Sequence, residues 1–545
     1  MSRIRRALIS VSDKTDLAPF ALQLARMGVR IVSTGGTARA LREQGVRVQE
    51  ITEFTGFPEI LDGRVKTLHP KVHGGILADR RKKEHLRQSR RLGLELIDLV
   101  VVNLYPFEET AGRRGAAWDE VIEQIDIGGV ALLRSAAKNF RSVGVVSRPS
   151  QYAQVLEELR KGRGALSDET RLRLAVEAFS ETAYYDSVIH QALAHRESKT
   201  GTRYKRGIRY LVPKGGLGTG AGADKWPEKL VLAAARRQVL RYGENPHQSG
   251  VWYQWPAVGG DSRRRAASQP LQLHGKGLSF NNLLDLDAAV RLVSAFRRPC
   301  AAVLKHNNPC GVACAGSLAE AFRRAQECDP MSSFGGIVGL NRVVDRAAAQ
   351  AIIAGGFLEC VVAPGFRPEA LQALKSRKNL RIIQDPAAQA GPRRCVDFKQ
   401  VGDGLLAQDP DEFRRGASRW RLVAGPRPTS AQMRDLAFAW TVARFARSNA
   451  IVIARGEQAV GIGAGFTSRV DSVRFAVQKA GKRSRGAVLA SDGFFPKPDG
   501  PQAAVRAGIR AIVQPGGSAQ DPEVTRVARK GGVAMLMTGE RHFFH

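Results

Sequence analysis

The chain has 545 residues, which at about 150 residues per domain corresponds to three or four domains. It contains 43% hydrophobic and 25% charged residues, the proportions of an ordinary globular protein, and these exclude bulk disorder. The apolar runs are too short for a membrane span, and the N-terminal sequence has only a brief apolar stretch before Ser12, which does not fit a secretory signal.

The charge is unusual, because 84 Lys and Arg residues against 51 Asp and Glu residues give a formal net charge of +33. A basic balance of this size raises the hypothesis of nucleic-acid binding. The basic clusters, such as 80–83 and 482–485, contain no interleaved aromatic residues and have no zinc-finger or basic-zipper context. We therefore interpret the excess as an arginine-rich solvated surface that favours anionic small substrates, and we expect no specific nucleic-acid partner and no membrane partner.

The first 150 residues alternate predicted strands and helices. Largely apolar runs at 7–11 and 98–104 predict buried parallel strands, because strands covered on both faces are apolar throughout. Apolar residues in 17–24 recur at the spacing of a helix that packs on a sheet. Further strands are predicted at 29–33 and 142–147, so this part is predicted to be a parallel α/β domain.

A polar, glycine-rich segment divides the rest of the chain, and we predict the main linker at 200–235. The domain before it is predicted to span 1–199 with its sheet core at 1–148. After the linker, alternating strands and helices predict two α/β subdomains at 236–365 and 366–545. The two could be distant copies of each other, which a single sequence cannot demonstrate.

Two strand-to-helix turns have the composition of phosphate-binding sites. The segment 12–14 (SDK) follows the first strand, and the segment 34–37 (TGGT) follows the second. The free N–H groups at a helix N-terminus favour an anion, glycine lets the backbone approach it, and lysine adds positive charge. Neither turn is a Walker loop or a G-x-G-x-x-G fingerprint, so a dinucleotide site is not predicted.

Other residues with useful chemistry lie near these turns. The segment 64–70 (RVKTLHP) holds two cations, a hydroxyl and an imidazole, which favours anion binding over an ordinary surface loop. Asn103 ends a buried strand, where side chains face the ligand crevice of an open α/β sheet. Asp126 and Lys138 flank one predicted helix and could relay protons, although helix capping explains each of them better when taken singly.

In the second half, Lys305 and His306 follow a buried strand and pair a cation with a group that can abstract a proton near neutral pH. His306, Cys310 and Cys314 also raise the hypothesis of zinc. The spacing P-C-x-x-x-C differs from that of zinc deaminases, however, and no glutamate follows His306 at the required offset. We therefore expect no metal, and reduced thiols in a cytoplasmic protein. The six cysteines are Cys300, Cys310, Cys314, Cys328, Cys360 and Cys395.

Taken together, these segments resemble one family, the bifunctional purine-biosynthesis enzyme AICAR transformylase/IMP cyclohydrolase. The resemblance covers nearly the whole chain, and so many matches in order make it very specific. The motifs include SVSDKT (10–15), GGTA (35–38), GRVKTLHPKVHGGIL (63–77), NLYPF (103–107), QIDIGG (124–129), AAKN (136–139), LRYGENPHQ (240–248), KHNNPCG (305–311), DPMSSFGG (329–336), SNAIV (448–452), SDGFFPKPDG (491–500), QPGGSA (514–519) and RHFFH (541–545).

The resemblance implies an α/β fold with a methylglyoxal-synthase-like parallel-sheet domain at the N-terminus. A transformylase half of two cytidine-deaminase-like α/β subdomains without zinc would follow it. Two activities are implied, formyl transfer from 10-formyltetrahydrofolate to AICAR and dehydrative ring closure of formyl-AICAR to IMP. These are the last two steps of de novo IMP synthesis, performed by a phosphoribosylaminoimidazolecarboxamide formyltransferase and an IMP cyclohydrolase.

For ring closure, the family's pattern implies that Lys66, Tyr105, Asp126 and Lys138 surround the reacting carboxamide and formyl groups. Lys138 would be the proton-transfer residue. The residues implied to bind IMP or formyl-AICAR are Ser12, Lys14, Thr34, Gly35, Gly36, Thr37, Arg64, Thr67, Asn103 and Gly128.

For formyl transfer, the amine of AICAR is a poor nucleophile because its lone pair is delocalised, so a base must take its proton as it attacks. The resemblance implies His306 as that base and Lys305 as the partner of the developing oxyanion. The residues implied to contact AICAR or the folate are Arg241, Tyr242, His247, Gly335, Glu359, Asn449, Arg469, Phe494, Ser518, Ala519 and Arg541.

The same resemblance implies 10-formyltetrahydrofolate as a co-substrate, no tightly bound cofactor, and a homodimer. Lys497 stands where the family has phenylalanine; it could point away from the site, or it could meet an anionic group of AICAR or folate. Two alternatives stay open, an enzyme that keeps only the cyclohydrolase and a nucleic-acid-binding protein on an enzyme scaffold.

Overall fold

The computed structural model describes residues 3–200, 230, 232–256, 270–391, 396–412 and 416–545. The chain falls into two compact units, the first made of residues 1–210, 220–235 and 254–265, and the second of 211–219, 236–253 and 266–545. Most of the linker predicted at 200–235 lies outside the described residues, as does Cys395. Within the described part, no helix is both long enough and apolar enough to cross a membrane.

The first unit is built on a five-stranded sheet whose strands are β1 (Arg6–Val11), β2 (Arg30–Ser33), β3 (Val48–Glu50), β4 (Leu99–Asn103) and β5 (Gly144–Val146). The strand order is β3-β2-β1-β4-β5, and every neighbouring pair is parallel. β1 and β4 are buried along nearly their whole length, as expected for inner strands of a parallel sheet. The predicted parallel α/β domain is confirmed.

The helices of the first unit follow the predicted apolar periodicity. In the first helix the buried side chains are those of Leu17, Phe20, Ala21 and Leu24, the stripe expected to face the sheet. The helices are α1 (Leu17–Arg26), α2 (Gly35–Glu43), α3 (Ile51–Thr55), α4 (Pro70–Leu77), α5 (Lys83–Arg91), α6 (Phe107–Gly112), α7 (Trp118–Glu123), α8 (Gly128–Lys138), α9 (Tyr152–Lys161) and α10 (Asp168–Thr200).

α10 extends well beyond the sheet core predicted at 1–148. It contacts α8, α6 and β5. Part of it forms a small apolar cluster with the α6–α7 region, in which Tyr185 and Val188 pack against Phe107 and Val121. Tyr185 of this cluster also hydrogen-bonds to the backbone of Asp126, one of the residues predicted for ring closure.

Among its described residues, the second unit contains two six-stranded sheets and two two-stranded sheets. Its strands are β6 (Ala235–Val239), β7 (Val251–Gln254), β8 (Leu271–His274), β9 (Cys300–Lys305), β10 (Asn308–Cys314), β11 (Ile337–Leu340), β12 (Cys360–Ala363), β13 (Arg381–Gln384), β14 (Asp397–Val401), β15 (Gly404–Gln408), β16 (Arg421–Ala424), β17 (Ile451–Ala454), β18 (Ala459–Gly463), β19 (Val488–Ser491), β20 (Ala511–Gln514) and β21 (Ala534–Met537). Its helices are α11 (Phe280–Ser294), α12 (Leu318–Gln326), α13 (Pro330–Ser333), α14 (Arg346–Ala354), α15 (Pro368–Lys375), α16 (Ser430–Ala443), α17 (Arg469–Ala480), α18 (Asp499–Arg506) and α19 (Asp521–Lys530).

The two six-stranded sheets share one topology. The first has the order β8-β13-β12-β11-β9-β10, and the second has the order β16-β21-β20-β19-β17-β18. In each, three strands are parallel, the edge strand at one side is antiparallel, and an antiparallel hairpin closes the other side. The duplication that the sequence left open is therefore present in the fold.

A glycine after each antiparallel edge strand supports this correspondence. Gly275 follows β8 with φ +92°, and Gly425 follows β16 with φ +73°. A Cβ atom would lie 2.3 Å from the Leu380 carbonyl oxygen at the first position and 2.2 Å from the Val533 carbonyl oxygen at the second. Both positions thus require glycine for the same two reasons, a left-handed conformation and a close backbone approach.

The predicted boundary at 365/366 falls inside the first sheet. β13 pairs in parallel with β12, so residues 381–384 complete this sheet instead of opening the next subdomain. The apolar periodicity after 366 is real, but it belongs to α15, the crossover helix between two parallel strands.

Candidate active sites

The strand order of the first unit reverses between β1 and β4. In an open α/β sheet, ligands bind at such a reversal, beyond the carboxyl ends of the strands. β1 ends at Val11 and β4 ends at Asn103, with the phosphate-type turn 12–14 directly after β1. The predicted residues after β1, β2 and β4 are therefore brought to one edge of the sheet.

Asn103 holds the turn that follows β1. Its Oδ1 accepts hydrogen bonds from the backbone N–H groups of Ser12 (2.7 Å) and Asp13 (2.9 Å), and its Nδ2 donates to the Asp13 carbonyl (2.8 Å). Asn103 was predicted as a substrate contact and lines the cavity described below, and these bonds engage its oxygen and one of its two amide N–H groups. It shapes the turn that presents Ser12 and Lys14.

The turn after β2 is held in a similar way. Thr37 Oγ1 accepts from the Val11 N–H (3.1 Å) and donates to the Val11 carbonyl (3.0 Å), while Thr34 and Ser10 share a hydroxyl hydrogen bond of 2.8 Å. α2 begins directly after Thr34, at Gly35. The first N–H groups of a helix have no intrahelical acceptor, so the start of α2 at this turn offers donors to an anion.

These turns enclose a cavity of about 640 Å³. Its lining includes nearly all the predicted ring-closure residues and adds hydrophobic and acidic groups from α7. The lining residues are Ser10, Val11, Ser12, Lys14, Thr34, Gly35, Gly36, Thr37, Gly63, Arg64, Lys66, Thr67, Asn103, Tyr105, Ile122, Glu123, Ile125, Asp126, Ile127, Gly128, Gly129 and Leu132.

Asp126 is the half-buried carboxylate of this cavity. Its Oδ1 accepts from the Gly129 N–H at 2.6 Å in the first turn of α8, although the N-cap position itself is held by Ile127 and not by Asp126 as the capping interpretation predicted. Burial raises the pKa of Asp126, and backbone hydrogen bonds from Gly129 and Tyr105 partly oppose the rise. A carboxyl group with a raised pKa facing a polar cavity has the property expected of an acid–base group.

Tyr185, on α10, positions the Asp126 loop and was missed by the sequence analysis. Its hydroxyl accepts from the Asp126 N–H at 2.9 Å and donates to the Gln124 carbonyl at 2.6 Å. The signal in the sequence was weak, because a tyrosine in a charged helix 59 residues further on does not reveal its partner.

The two cations of segment 64–70 are both paired with carboxylates at the cavity. Lys66 Nζ lies 2.6 Å from Glu59 Oε1, and Arg64 pairs with Glu123. Thr67 is buried, and a Cβ at Gly128 would lie 2.9 Å from Thr67 Oγ1. Gly128 therefore lets the start of α8 approach Thr67, which explains why glycine stands at this position of the QIDIGG motif.

The structure does not bring Lys138 to this cavity. Lys138 is the last residue of α8, whose other end, at Gly128, lines the cavity. At 1.5 Å per residue the two ends are separated by about 15 Å. Lys138 is exposed, so the predicted pairing with Asp126 is wrong for a single chain; both residues flank the same helix, but from opposite ends.

In the second unit, Lys305 ends β9 and His306 lies in the two-residue turn to β10. Lys305 Nζ donates to the Phe334 carbonyl at 3.0 Å, and His306 is exposed with φ +53°. Burial raises the pKa of the neighbouring Cys310 to about 12, so this thiol stays protonated at neutral pH. A base and a cation thus stand side by side at an exposed turn.

Gly335 and Glu359 lie at the same edge of the sheet as Lys305, because β9 runs antiparallel to β11. The Gly335 N–H donates to the Phe357 carbonyl at 2.8 Å, and the Glu359 N–H donates to the Gly336 carbonyl at 3.0 Å. The Glu359 carboxylate pairs with the buried guanidinium of Arg381. These three predicted residues are therefore gathered at one edge.

The second sheet gathers another group of predicted residues. Asn449, Arg469 and Phe494 line a cavity of about 440 Å³. Arg469 Nη2 donates to Asn449 Oδ1 at 2.6 Å, and its Nη1 donates to Ser491 Oγ at 2.8 Å and pairs with the buried Asp492. Asp492 was missed, although it stands in the SDGFF motif that the sequence singled out.

The remaining predicted contacts are less closely gathered. Arg241 stacks over the Tyr242 ring at 4.6 Å and hydrogen-bonds its hydroxyl, while His247 is exposed. Arg541 lies over the Phe543 ring at 4.7 Å, beside the cavity that Phe543 lines. Ser518 and Ala519 were also predicted as contacts. They follow β20 and do not line the cavity that contains Asn449 and Arg469.

Lys497 is exposed and lines the same cavity as Asn449 and Arg469. This placement favours the second of the two interpretations that the sequence left open, a contact with an anionic group. Asp499 also lines the cavity, so the positive charge there is partly offset.

The cysteines and His306 do not assemble a metal site in the described part of the chain. No group of three or more His, Cys, Asp and Glu side chains among those residues has an arrangement that could hold a metal ion. Cys300 and Cys314 are instead paired across β9 and β10 in the core as free thiols.

Comparison with known proteins matches both halves of this architecture. Residues 136–479 match the model of the AICARFT/IMPCHase bienzyme family, and residues 16–131 match that of the MGS-like domain. A Bifunctional purine biosynthesis protein PurH from Sorangium cellulosum (strain So ce56) is 49% identical over 543 residues, covering 99% of this chain and 100% of that protein. Proteins of the same name from Acidithiobacillus ferrooxidans (strain ATCC 53993 / BNL-5-31) and Magnetococcus marinus (strain ATCC BAA-1437 / JCM 17883 / MC-1) are each 46% identical, covering 100% of both chains.

A parallel-sheet unit with a phosphate-type cavity, together with a duplicated α/β unit that has a cavity of its own, defines an enzyme with two separate sites. The chain belongs to the AICARFT/IMPCHase bienzyme family. It is a bifunctional formyltransferase and IMP cyclohydrolase that catalyses the last two steps of IMP synthesis. This finding sets aside the nucleic-acid-binding alternative.

Proposed function

We propose that ring closure takes place in the 640 Å³ cavity of the first unit. The observation that carries this proposal is the convergence of two phosphate-type turns and a half-buried carboxylate, Asp126, on one sheet edge. The turns at 12–14 and 34–37 bind the nucleotide phosphate through backbone N–H groups and Lys14. The base end of formyl-AICAR then lies towards Asp126.

In this reaction the carboxamide nitrogen of formyl-AICAR attacks the formyl carbon. The new C–N bond closes the six-membered ring, and the formyl oxygen is protonated to a hydroxyl group. That hydroxyl leaves as water while the formamido nitrogen releases its proton to solvent and forms the C=N bond of the ring, so each nitrogen has given up one proton. Asp126 takes the carboxamide proton, while Lys66 and Tyr105 stabilise the formyl oxygen and supply the proton with which it leaves. The Lys66 ammonium is held in place for this by Glu59.

Formyl transfer is assigned to the second unit, with 10-formyltetrahydrofolate as a co-substrate that is not tightly bound. His306 takes a proton from the AICAR amine as it attacks the formyl carbon, and Lys305 stabilises the oxyanion that develops. The formyl C–N bond to the folate then breaks and the folate nitrogen is protonated. The cavity lined by Asn449, Arg469 and Lys497 receives an anionic substrate group.

Incubation of the purified protein with AICAR and 10-formyltetrahydrofolate tests both assignments, because IMP appears only if both sites work. Formyl-AICAR supplied alone isolates ring closure. Accumulation of formyl-AICAR without IMP would contradict the first assignment, and IMP from formyl-AICAR but not from AICAR would contradict the second.

We further propose that the enzyme works in the cytoplasm as a homodimer. Its free cysteines fit a reducing compartment. Exposed apolar side chains support association with a second copy, among them Tyr253 on β7 and Val401 and Leu406, which share one face of the β14–β15 hairpin. Sedimentation of the full chain would overturn the homodimer if the fully active enzyme is a monomer at nanomolar concentration.

A further inference from the structure

The two sheets of the second unit each contain a hairpin with the same two-residue turn. In the first sheet, His306 (φ +53°) and Asn307 (φ +60°) connect β9 to β10. In the second, Arg455 and Gln458 extend the pairing of β17 and β18 by two backbone hydrogen bonds, and Gly456 (φ +63°) and Glu457 (φ +55°) form the turn between them. Positive φ at both central residues is the conformation that matches the twist of paired strands, and it disfavours side chains other than glycine, asparagine and aspartate.

Each turn is held by an aspartate from the preceding helix. Asp435, on α16, accepts from the Gly456 N–H (2.8 Å) and the Glu457 N–H (2.7 Å). Asp285, on α11, accepts from the Asn307 N–H at 2.6 Å. In the amide orientation that satisfies both of its polar ends, the Asn307 side chain also donates to Asp285 Oδ1 at 3.2 Å.

The correspondence extends to the sequence. Asp285 and Asp435 are 150 positions apart, as are His306 and Gly456. Each aspartate stands six residues after a helix N-cap, Ser279 or Thr429, that forms a capping box. The spacing therefore belongs to the duplicated unit, and the aspartate holds its turn in both copies.

The copies differ in what the turn carries. The first presents the base His306 next to Lys305, whereas the second presents Gly456 next to Arg455. Glu457 is engaged in an ion pair with Arg298. The same contact between a helix aspartate and a turn thus supports a turn with an acid–base group in one copy and a turn without one in the other.

We propose that Asp285 is a positioning residue for formyl transfer, which fixes the His306 turn so that the imidazole meets the AICAR amine. The inference rests on the proposed role of His306. A histidine held with positive φ at an exposed turn has few contacts of its own to fix it, so its placement depends on the backbone. Asp285 supplies that placement from the helix side, and the Arg447 N–H, bonded to Asn308 Oδ1 at 2.9 Å, supports the hairpin from the other.

The test compares Asp285→Asn with the matched variant Asp435→Asn in the full chain. A carboxylate accepts from two N–H groups, whereas an amide must turn its own NH₂ towards one of them, so each variant loosens its own turn. Asp285→Asn should lower kcat for formyl transfer at least about ten-fold, because a small misplacement of a catalytic group is costly, with KM for AICAR and for 10-formyltetrahydrofolate unchanged. Asp435→Asn should leave kcat within about two-fold of the parent, since the Gly456 turn carries no base.

Hydrogen exchange followed by mass spectrometry gives a readout independent of activity. Exchange at His306 and Asn307 should quicken in Asp285→Asn only, and exchange at Gly456 and Glu457 in Asp435→Asn only. If Asp285→Asn does not fold, Asp285→Glu keeps the charge, displaces the carboxylate by one methylene group and should show the same kcat loss. Ring closure by the first unit reports that each variant is otherwise intact.

The His306→Ala variant, measured alongside, distinguishes the proposed role of His306 from that of Asp285. Formyl transfer at the parent rate in His306→Ala would overturn the proposed role of His306. An inactive His306→Ala together with a fully active Asp285→Asn would overturn only the role of Asp285. Equal losses of kcat in Asp285→Asn and Asp435→Asn would reduce both aspartates to a general structural role and would overturn the proposal.

Discussion

The two units assemble their functional side chains in different ways. The first gathers one cavity at the reversal point of a single parallel sheet, from segments spread over its first 132 residues. The second repeats one topology and places different predicted residues on the edges of the two copies, around Lys305 in one and Asn449 in the other. At a reversal point, the topology of the sheet alone brings the predicted functional side chains together. In a duplicated fold, either copy can retain or lose such side chains independently of the other. The difference can be tested by measuring, for each variant, whether ring closure, formyl transfer or both are reduced.

The largest effect is expected for Asp126→Asn. The amide cannot take a proton, so ring closure should fall by about 10²–10⁴-fold, the usual contribution of general acid–base catalysis. Burial raises the pKa of Asp126, so ring closure by the parent should decline as pH falls through a range above that of an ordinary aspartate. Rates from formyl-AICAR as a function of pH check both points; formyl transfer should be unaffected, and ring closure at the parent rate would rule out the assignment.

His306→Ala should act on the other unit alone. Loss of the base should reduce formyl transfer by about 10²-fold while ring closure continues at the parent rate. Glu457→Ala, in the equivalent turn of the second copy, is the matched control and should leave formyl transfer intact. Steady-state assays with each substrate separately measure the two rates, and a similar loss in both variants would show that the copies share the chemistry.

A smaller effect is expected for Tyr185→Phe, which removes the hydroxyl that holds the Asp126 loop and keeps the ring in its apolar cluster. The loss of a buried hydrogen-bond partner costs about 1–1.5 kcal/mol, which corresponds to roughly a ten-fold lower kcat for ring closure. Tyr184→Phe is the control, because the Tyr184 hydroxyl donates to Glu108 instead. Comparable losses in the two variants would indicate a general effect on α10.

Lys497→Phe should raise KM for one anionic substrate of formyl transfer about two- to five-fold at low salt, because an exposed cation contributes at most about 1 kcal/mol. The effect should shrink as added salt screens the charge. Lys530→Phe, on the exposed end of α19, is the control. Unchanged KM values for both substrates at low salt would mean that Lys497 serves only as surface.

The smallest effect is expected for Lys138→Ala. Because Lys138 lies at the far end of α8 from the cavity, ring closure should stay within about two-fold of the parent, far above Asp126→Asn. A loss comparable to that of Asp126→Asn would mean that Lys138 reaches the reacting groups in an arrangement that a single chain does not contain.

Parallel strands and phosphate-type turns were predictable from the sequence because their signals are local. β4 is recognisable as an apolar run, and the 34–37 turn is recognisable by its glycines, so the sheet edge could be predicted from residues close in sequence. The contact of Tyr185 with Asp126 could not, since nothing near either residue indicates the other. The predicted pairing of Lys138 with Asp126 was wrong for a related reason. The two residues are close in sequence, but the sequence does not reveal which end of the helix between them faces a ligand.

The duplication was suspected and could not be demonstrated because the copies share topology and special positions more than composition. Asp285 and Asp435 are the same number of residues from the N-caps of their helices. The two helices that carry them, α11 and α16, differ at most other positions. The misplaced boundary at 365 has a related origin, since a crossover helix such as α15 looks the same whether it closes one sheet or opens another.

The hydrogen bonds of Tyr185 bear on where a minimal ring-closing fragment could be cut. A fragment limited to the sheet core would end near residue 148 and would lack α10, and with it the hydroxyl that bonds to the Asp126 backbone. It would also expose Phe107 and Val121, two side chains that α10 covers, each worth about 1.5–3 kcal/mol of burial. The ring-closing fragment that we propose is therefore longer than the sheet core, and a useful truncation would have to retain the chain through Ala192 at least.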